Sequence, residues 1–140
     1  MISAILLSAG LSKRFKNGNK LIHKYNRKEI IIYSLKNILK SKIAEIIIVT
    51  GKDHNKFKKI LPKNKKIKVI NNLKYKNGLS FSIKLGIKHI NLNSKGFFIC
   101  LGDMPFFILI AQKPCYPRDN SRLLNCINET PEDLKFKNIT

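Results

Sequence analysis

Residues 2–10 read I-S-A-I-L-L-S-A-G, a short continuous apolar run that closes on small residues and a glycine. A run of this kind is typical of a strand buried on both faces, as the strands of parallel sheets are. Further apolar runs follow at residues 45–50 (E-I-I-I-V-T), 67–70 and 97–101. The sequence therefore predicts four buried strands, of which residues 2–8 form the first.

Apolar side chains between these runs recur at intervals of three and four residues, the spacing that gathers them on one helical face. A basic loop up to about Arg27 precedes the first of three predicted helices. We expect Asp53 to cap the second helix, which ends near Pro62, and Ser80 to cap the third. The three apolar faces comprise Ile31, Leu35, Ile38 and Leu39; Phe57, Ile60 and Leu61; and Ile83, Ile87 and Ile90.

The order of these elements, β-loop-α-β-α-β-α-β, indicates the fold class. Strands that alternate with helices imply right-handed crossovers and a mainly parallel sheet with helices on both faces. We therefore expect an α/β fold, a Rossmann-like three-layer α/β/α sandwich. Ligands of such sheets bind at the carboxyl ends of the strands. Because the polar loops after the first, third and fourth strands emerge at that end, we expect them to converge on one crevice.

Length and charge narrow the class of protein. A chain of 140 residues with a formal net charge of +20 fits one domain and raises the question of nucleic-acid binding. Its lysines, however, are scattered from Lys13 to Lys95, with no aromatic-interleaved stripe and no known nucleic-acid-binding spacing. Lys, Ile and Asn, in which the chain is rich, have A/T-rich codons. A biased genome explains much of the charge, and nucleic acid is not the expected partner.

The cysteines and the apolar segments bear on localisation. Cys100, Cys115 and Cys126 form no C-x-x-C pair and have no histidine at metal-ligand spacing, which fits reduced thiols better than disulfides or a zinc site. The apolar start lacks a basic leading region, and no apolar run approaches the roughly 20 residues of a membrane helix. We expect a cytoplasmic protein with neither a signal peptide nor a membrane span.

The loop after the first strand carries residues suited to an anionic ligand. Residues 6–21 read L-L-S-A-G-L-S-K-R-F-K-N-G-N-K-L. Gly10 lets backbone N–H groups approach an anion closely, while Arg14 and Lys20 supply positive charge for a triphosphate. The loop lacks the G-x-x-x-x-G-K-[ST] of a P-loop and the G-x-G-x-x-G of a dinucleotide site. Its composition alone makes it a basic glycine loop.

The same loop resembles the L-A-A-G-x-S-x-R-M…K signature of the MobA-like nucleotidyltransferases, with Phe15 in place of the usual Met. Two further blocks agree with that family, residues 71–87 (N-N-L-K-Y-K-N-G-L-S-F-S-I-K-L-G-I) and residues 100–106 (C-L-G-D-M-P-F). Within the first of these, G-L-S-F-S-I-K-L-G is similar to G-M-S-S-S-L-x-x-G, where a serine-rich loop opens a helix that can receive phosphate oxygens. The matching positions of the first loop are Ser8, Ala9, Gly10, Ser12, Arg14 and Lys20.

The resemblance implies an enzyme in which an acceptor phosphate attacks the α-phosphorus of a nucleoside triphosphate and releases pyrophosphate. Asp103, which follows the fourth predicted strand, would bind Mg²⁺ between protein and phosphates, and it would act in catalysis together with Arg14 and Lys20. A lone Asp after a strand and a Ser before a helix are also common turn and cap residues. The remaining implied nucleotide contacts are Ser8, Ala9, Gly10 and Ser12 in the first loop, with Asn71, Gly78 and Ser80 on the base or ribose side.

Smaller differences bear on the nucleotide. Guanylyl-transferring relatives tend to show G-G-x-S-x-R-M-G-x-D-K, whereas this loop has Ala9 before Gly10 and Asn19 before Lys20. The methylerythritol cytidylyltransferases would place Pro before that Lys. Together with G-L-S-F-S, these differences favour CTP over GTP. They indicate the molybdenum cofactor cytidylyltransferase type, whose acceptor is molybdopterin-bound molybdenum cofactor.

The family pattern is lost after Phe106. Residues 107–140 hold only five of the 28 basic residues but four of the eight acids, with three of the five prolines. We expect residues 1–106 to form the nucleotide-binding part of a truncated nucleotidyltransferase domain, and residues 107–140 to be a divergent or frameshifted tail. Three hypotheses for function follow: a transferase, a catalytically inactive nucleotide-binding remnant of that family, and a basic nucleic-acid-binding module.

Overall fold

A five-stranded sheet with helices on both faces forms the part of the chain that the computed structural model describes, residues 1–16, 18–103 and 108–111. In chain order the elements are β1 (Ile2–Ser8), β2 (Lys24–Tyr25), β3 (Lys28–Glu29), α1 (Ile30–Leu39), β4 (Glu45–Thr50), α2 (His54–Ile60), β5 (Ile67–Asn71), a 3₁₀ turn (Tyr75–Asn77), α3 (Leu79–Lys88), β6 (Gly96–Leu101) and β7 (Ile108–Ala111). All four predicted strands are present, with bounds within one residue of the prediction.

The sheet has the strand order β5-β4-β1-β6-β7. Strand β1 pairs in parallel with β4 and with β6, and β4 pairs in parallel with β5. Strand β7 pairs antiparallel with β6, with Phe98 opposite Ile110. The sheet is therefore mainly parallel, as predicted, and β1 lies at its centre.

Two hydrophobic clusters lie on opposite faces of this sheet. One contains Leu6 together with the apolar faces of α1 and α2, and the other contains Ile5 and Leu7 together with that of α3. Alternation along β1 sends successive side chains to opposite clusters. Burial on both faces explains why β1 and β4 are continuous apolar runs. The three-layer α/β/α arrangement is confirmed.

A short hairpin occupies the end of the segment that the sequence predicts as a basic loop. Strands β2 and β3 pair antiparallel, and Asn26 (φ 48°) and Arg27 (φ 67°) form the turn between them. Two residues in the left-handed region are typical of a tight two-residue hairpin turn. Strands of two residues carry no readable alternation, so the sequence does not predict them.

Neither of the two predicted capping side chains caps its helix. Helix α3 has Gly78 at its N-cap position with φ 100°, which places Ser80 inside the first turn with an exposed side chain. Gly is favoured at such a position because residues with side chains rarely adopt a positive φ. Asp53 does occupy the N-cap position of α2, but its side chain makes no capping hydrogen bond. It accepts instead from the Asn19 amide, 34 positions away in the chain, and pairs with Lys56 one turn along the helix.

Glu45, the first residue of β4, is buried at the amino-terminal edge of the sheet. Its carboxylate accepts hydrogen bonds from Lys68 Nζ (2.6 Å), Ser3 Oγ (2.9 Å) and the Asn91 N–H (3.0 Å). Burial raises the pKa of Glu45, but these three donors outweigh it and hold the pKa below its ordinary value. Glu45 therefore ties β1, β5 and the α3–β6 connection together as an ionised group.

We expect this network to weaken in acid. Because folding lowers the pKa of Glu45, its stabilising contribution is fully present above the ordinary carboxyl pKa and is lost as the pH falls through the lower, folded value. The Glu45→Gln variant lacks that titration. Denaturant unfolding between about pH 7 and about pH 3 should show the stability difference between wild type and Glu45→Gln shrinking as the pH falls. A difference that is independent of pH would contradict the assignment.

Strand β7 lies in the segment where the sequence predicts no strand. Residues 104–107 and 112–140 lie outside the described residues, and with them the predicted boundary after Phe106 and most of the predicted tail. That division stays a prediction. Cys115 and Cys126 also lie outside, whereas Cys100 is a buried free thiol whose pKa is raised by burial to about 12. In residues 1–16 and 18–103 and in β7, no helix has the length and apolar character needed to cross a membrane.

Candidate functional site

A cleft of about 840 Å³ opens at the carboxyl ends of β1 and β6. The loop after β1, the segment between β5 and α3, and Asp103 just after β6 form its walls. The structure thus brings together the three loops that the sequence predicts to converge. The predicted site residues on its walls are Ala9, Gly10, Ser12, Arg14, Lys20, Gly78 and Asp103.

Three other predicted residues lie away from these walls. Ser8 is only 1% exposed, and its Oγ has no hydrogen-bond partner among the described residues. Asn71 and Ser80 are exposed at the end of β5 and on the first turn of α3. The polar groups that turn inward are their neighbours, because the buried Asn72 donates from Nδ2 to Ser82 Oγ at 2.9 Å. Ser82 lies on the cleft wall.

The loop after β1 is held by its own polar side chains. Ser12 has φ 47°, and its carbonyl accepts from the Phe15 N–H at 2.9 Å, which closes a tight turn. The Ser12 hydroxyl accepts from the Lys20 N–H at 3.2 Å. The loop then enters the core at the buried Leu21, whose N–H donates to Asn19 Oδ1 at 3.0 Å. These bonds bring Lys20 back to the cleft that Gly10 also lines.

Asp103 is positioned through the residue before it. The Gly102 N–H donates to the Leu7 carbonyl at 3.1 Å, and the Gly102 carbonyl accepts from Ser34 Oγ at 2.7 Å. Ser34 is buried on α1, 68 positions away along the chain, so the sequence offers no signal for this contact. The chain after β6 is thereby fixed both to β1 and to α1, and the Asp103 side chain stands at the cleft.

The cleft is predominantly cationic. Four basic residues line it, Lys13, Arg14, Lys20 and Lys76, and Asp103 is the acid among the lining residues that the structure describes. Lys20 Nζ lies 3.7 Å from Asp103 Oδ2, with the two side chains 49% and 42% exposed. An exposed ion pair of this kind contributes at most about 1 kcal/mol, so a phosphate group can compete for Lys20. The summed charge favours a polyanionic ligand.

The side chains that line the cleft could hold Mg²⁺ only if a bound phosphate ligand supplied further oxygen atoms. Among the described residues, no group of three or more His, Cys, Asp or Glu side chains is placed to hold a metal ion. Mg²⁺ is usually held by one or two carboxylates plus substrate phosphates and water, rather than by an all-protein cage. One carboxylate beside a cationic cleft fits that pattern.

Comparison with known proteins agrees with this geometry. A family model described as "MobA-like NTP transferase domain" matches residues 4–109. A curated protein from Thermococcus sibiricus named "Probable molybdenum cofactor guanylyltransferase" is 42% identical over 53 residues, which is 37% of this chain and 27% of that protein.

Solved structures share the fold. A nucleotidyl transferase from Methanothermobacter superposes with a TM-score of 0.67 at 24% identity, over 75% of this chain and 51% of that one. The inositol-1-phosphate CTP transferase from T. maritima gives 0.63 at 22%, over 72% and 43%. The CTP:phosphocholine cytidylyltransferase from Streptococcus pneumoniae gives 0.60 at 23%, over 82% and 48%. The match covers only about half the length of these structures and about a quarter of the curated relative.

The family match covers most of the chain and includes the loop after β1, the segment leading into α3 and Asp103. The three motifs on which the resemblance rests therefore lie within one matched region and surround one cleft. The chain belongs to the MobA-like NTP transferase family of nucleotidyltransferases.

Proposed function

We propose that the chain binds a nucleoside triphosphate in this cleft and transfers its nucleotidyl group to a phosphate-bearing acceptor, with release of pyrophosphate. The convergence of Arg14, Lys20 and Asp103 on one cleft at the carboxyl ends of β1 and β6 carries the proposal. The cleft lies where ligands of open α/β sheets bind, at the carboxyl ends of the strands. A triphosphate with a divalent cation requires positive side chains for its phosphates and a carboxylate for the cation, and this cleft supplies both.

Arg14 and Lys20 would hold the triphosphate. A hydrogen bond to a charged group contributes about 1.5–3 kcal/mol, so the two side chains supply a few kcal/mol of affinity. Binding would draw Lys20 from the weak Asp103 pair to the phosphates, which leaves the carboxylate available. Gly10 faces open space, since a Cβ built there meets no protein atom within 4 Å. Its backbone can therefore approach the nucleotide closely.

Asp103 would hold Mg²⁺ together with phosphate oxygens. The ion, when bound, would neutralise negative charge at the reacting phosphorus and contribute several kcal/mol to the transition state. The protein's own share is orientation: it aligns the acceptor phosphate, the α-phosphorus and the leaving pyrophosphate, and this alignment removes an entropic barrier. Asp103 is well placed for this because its backbone is fixed on two sides through Gly102.

CTP is the donor that we propose, and molybdenum cofactor is the acceptor. Ala9 before Gly10, Asn19 before Lys20 and the G-L-S-F-S block support CTP. The name of the Thermococcus relative supports the molybdenum cofactor as acceptor but favours GTP, which makes guanylyl transfer the second candidate. A nucleotide-binding remnant without turnover is the third candidate.

Pyrophosphate release tests the proposal. The purified chain is incubated with Mg²⁺, a molybdopterin-type acceptor and either CTP or GTP, and pyrophosphate is quantified with and without acceptor. We expect acceptor-dependent release that is faster with CTP. Faster release with GTP would assign guanylyl transfer, and nucleotide binding without release would support the remnant. Failure of both release and binding would refute the proposal.

A further inference from the structure

Asn19 links the first loop of the cleft to the start of α2. Its Oδ1 accepts from the Leu21 N–H at 3.0 Å and lies 3.5 Å from Ser12 Oγ, and its Nδ2 donates to Asp53 Oδ2 at 3.0 Å. All the polar atoms of this amide therefore face fixed partners. Asn19 and Asp53 are 34 positions apart in the chain, and neither lines the cleft.

Asp53 provides the fixed end of this contact. Its side chain is 16% exposed, and its other oxygen, Oδ1, pairs with Lys56 Nζ at 3.3 Å. Burial raises the pKa of Asp53, but the Asn19 amide and the Lys56 ammonium outweigh it and lower the pKa. The carboxylate is therefore ionised at neutral pH and only accepts hydrogen bonds. Residue 19 must then supply a donor.

Lys20 is the next residue in the chain, so the contacts that fix Asn19 also restrict the Lys20 backbone. Its N–H donates to Ser12 Oγ at 3.2 Å, and its ammonium reaches to 3.7 Å from Asp103. Because the Asn19 side chain is fixed and accepts from the Leu21 N–H, the Lys20 backbone between them is held at the cleft wall, and its long side chain can turn from Asp103 to a phosphate. A carboxylate at position 19 would here face the carboxylate of Asp53.

We infer that Asn19 and Asp53 form a clamp that positions Lys20 for the triphosphate, so that the two are positioning residues for the nucleotide site. The inference rests on the proposed function of the cleft. The identities of residues 19 and 53 are then coupled, because one supplies an amide donor and the other an ionised acceptor.

The test exchanges the two side chains. Affinity for Mg²⁺-CTP is measured by calorimetry for wild type, Asn19→Asp, Asp53→Asn and the double variant. We expect Asn19→Asp to weaken binding about tenfold or more through carboxylate repulsion. In Asp53→Asn the loss should stay under about threefold, since two amides can still pair. The double variant keeps the net charge of the wild type, restores the donor and acceptor, and should bind within about threefold of it.

A second cycle separates positioning from general damage to the fold. In a Lys20→Ala background, Asn19→Asp should cause no further loss of affinity, because the clamp acts through Lys20. Melting temperatures of all variants are recorded alongside. Two results would overturn the inference. One is an Asn19→Asp loss of affinity that is as large in the Lys20→Ala background as in the wild type. The other is a double variant that binds no better than Asn19→Asp alone.

Hydrogen exchange of the free protein tests the clamp independently of nucleotide binding. The amides of Lys20 and Leu21 should exchange faster in Asn19→Asp and return to the wild-type rate in the double variant. If the wild type binds no nucleotide, the proposed function fails while this exchange pattern still decides on the clamp. If exchange is unchanged in Asn19→Asp, the clamp is refuted even where nucleotide binds.

Discussion

Replacing Asp103 with asparagine is expected to reduce nucleotidyl transfer by at least about 10³-fold. The substitution keeps the shape of the side chain but removes the charge that would hold Mg²⁺. Loss of several kcal/mol of transition-state stabilisation, at 1.36 kcal/mol for each tenfold in rate, gives a reduction of this size. Binding of metal-free nucleotide should persist, because the cleft loses the one acid among its described lining residues and keeps Arg14 and Lys20.

The matched control for this prediction is Glu29→Gln. Glu29 lies at the start of α1 and away from the cleft, so this variant changes the net charge equally and should keep its turnover. Initial rates of pyrophosphate release at saturating Mg²⁺, together with calorimetric nucleotide affinity, provide the measurement. If Asp103→Asn turns over at the wild-type rate, Asp103 is not the metal ligand.

Replacing Gly86 with valine is expected to lower the free energy of unfolding by about 3 kcal/mol, at the upper end of what overpacking costs. Gly86 lies in α3 where the helix crosses the sheet. A Cβ built there would come within 2.6 Å of Ile5 Cγ2 and 3.3 Å of Val49 Cγ2. Ile5 and Val49 are both fully buried, so neither can move aside without disturbing the central strands.

Two further variants make this prediction specific. Gly96→Val places the same side chain at the start of β6, where a Cβ would meet nothing within 4 Å, and should change stability little. In an Ile5→Ala background, which removes the obstructing methyl groups, Gly86→Val should cost less than it does in the wild type. Denaturant unfolding provides the measurement. If Gly86→Val is as stable as the wild type, α3 does not pack as closely on β1 as the structure indicates.

The parallel strands could be predicted because burial on both faces leaves a direct trace in the sequence. Ile2–Ser8 and Glu45–Thr50 are continuous apolar runs, and the structure places each at its predicted bounds. The hairpin at residues 24–29 leaves no comparable trace, because its strands are too short to alternate. Strand β7 does read as an apolar run, I-L-I-A, but the prediction assigns it to the tail because it follows the family motifs.

The sequence could predict those site residues that belong to the family motifs. Arg14, Lys20 and Asp103 are marked by their place in those motifs and do meet at one cleft. The contacts that hold them are not marked, because Asn19 with Asp53 and Ser34 with Gly102 join residues 34 and 68 positions apart. Asn71 is exposed, whereas its neighbour Asn72 is buried. The local backbone decides which of two adjacent polar side chains turns inward, and no periodicity in the sequence encodes this choice.

The most direct test of nucleotide binding in this cleft is a calorimetric titration of CTP, and of GTP for comparison, into the purified chain with and without Mg²⁺. We expect binding that Mg²⁺ strengthens, with CTP preferred, and loss of the Mg²⁺ effect in Asp103→Asn. Binding of neither nucleotide to the folded chain, with or without Mg²⁺, would contradict the claim that this cleft is a nucleotide site.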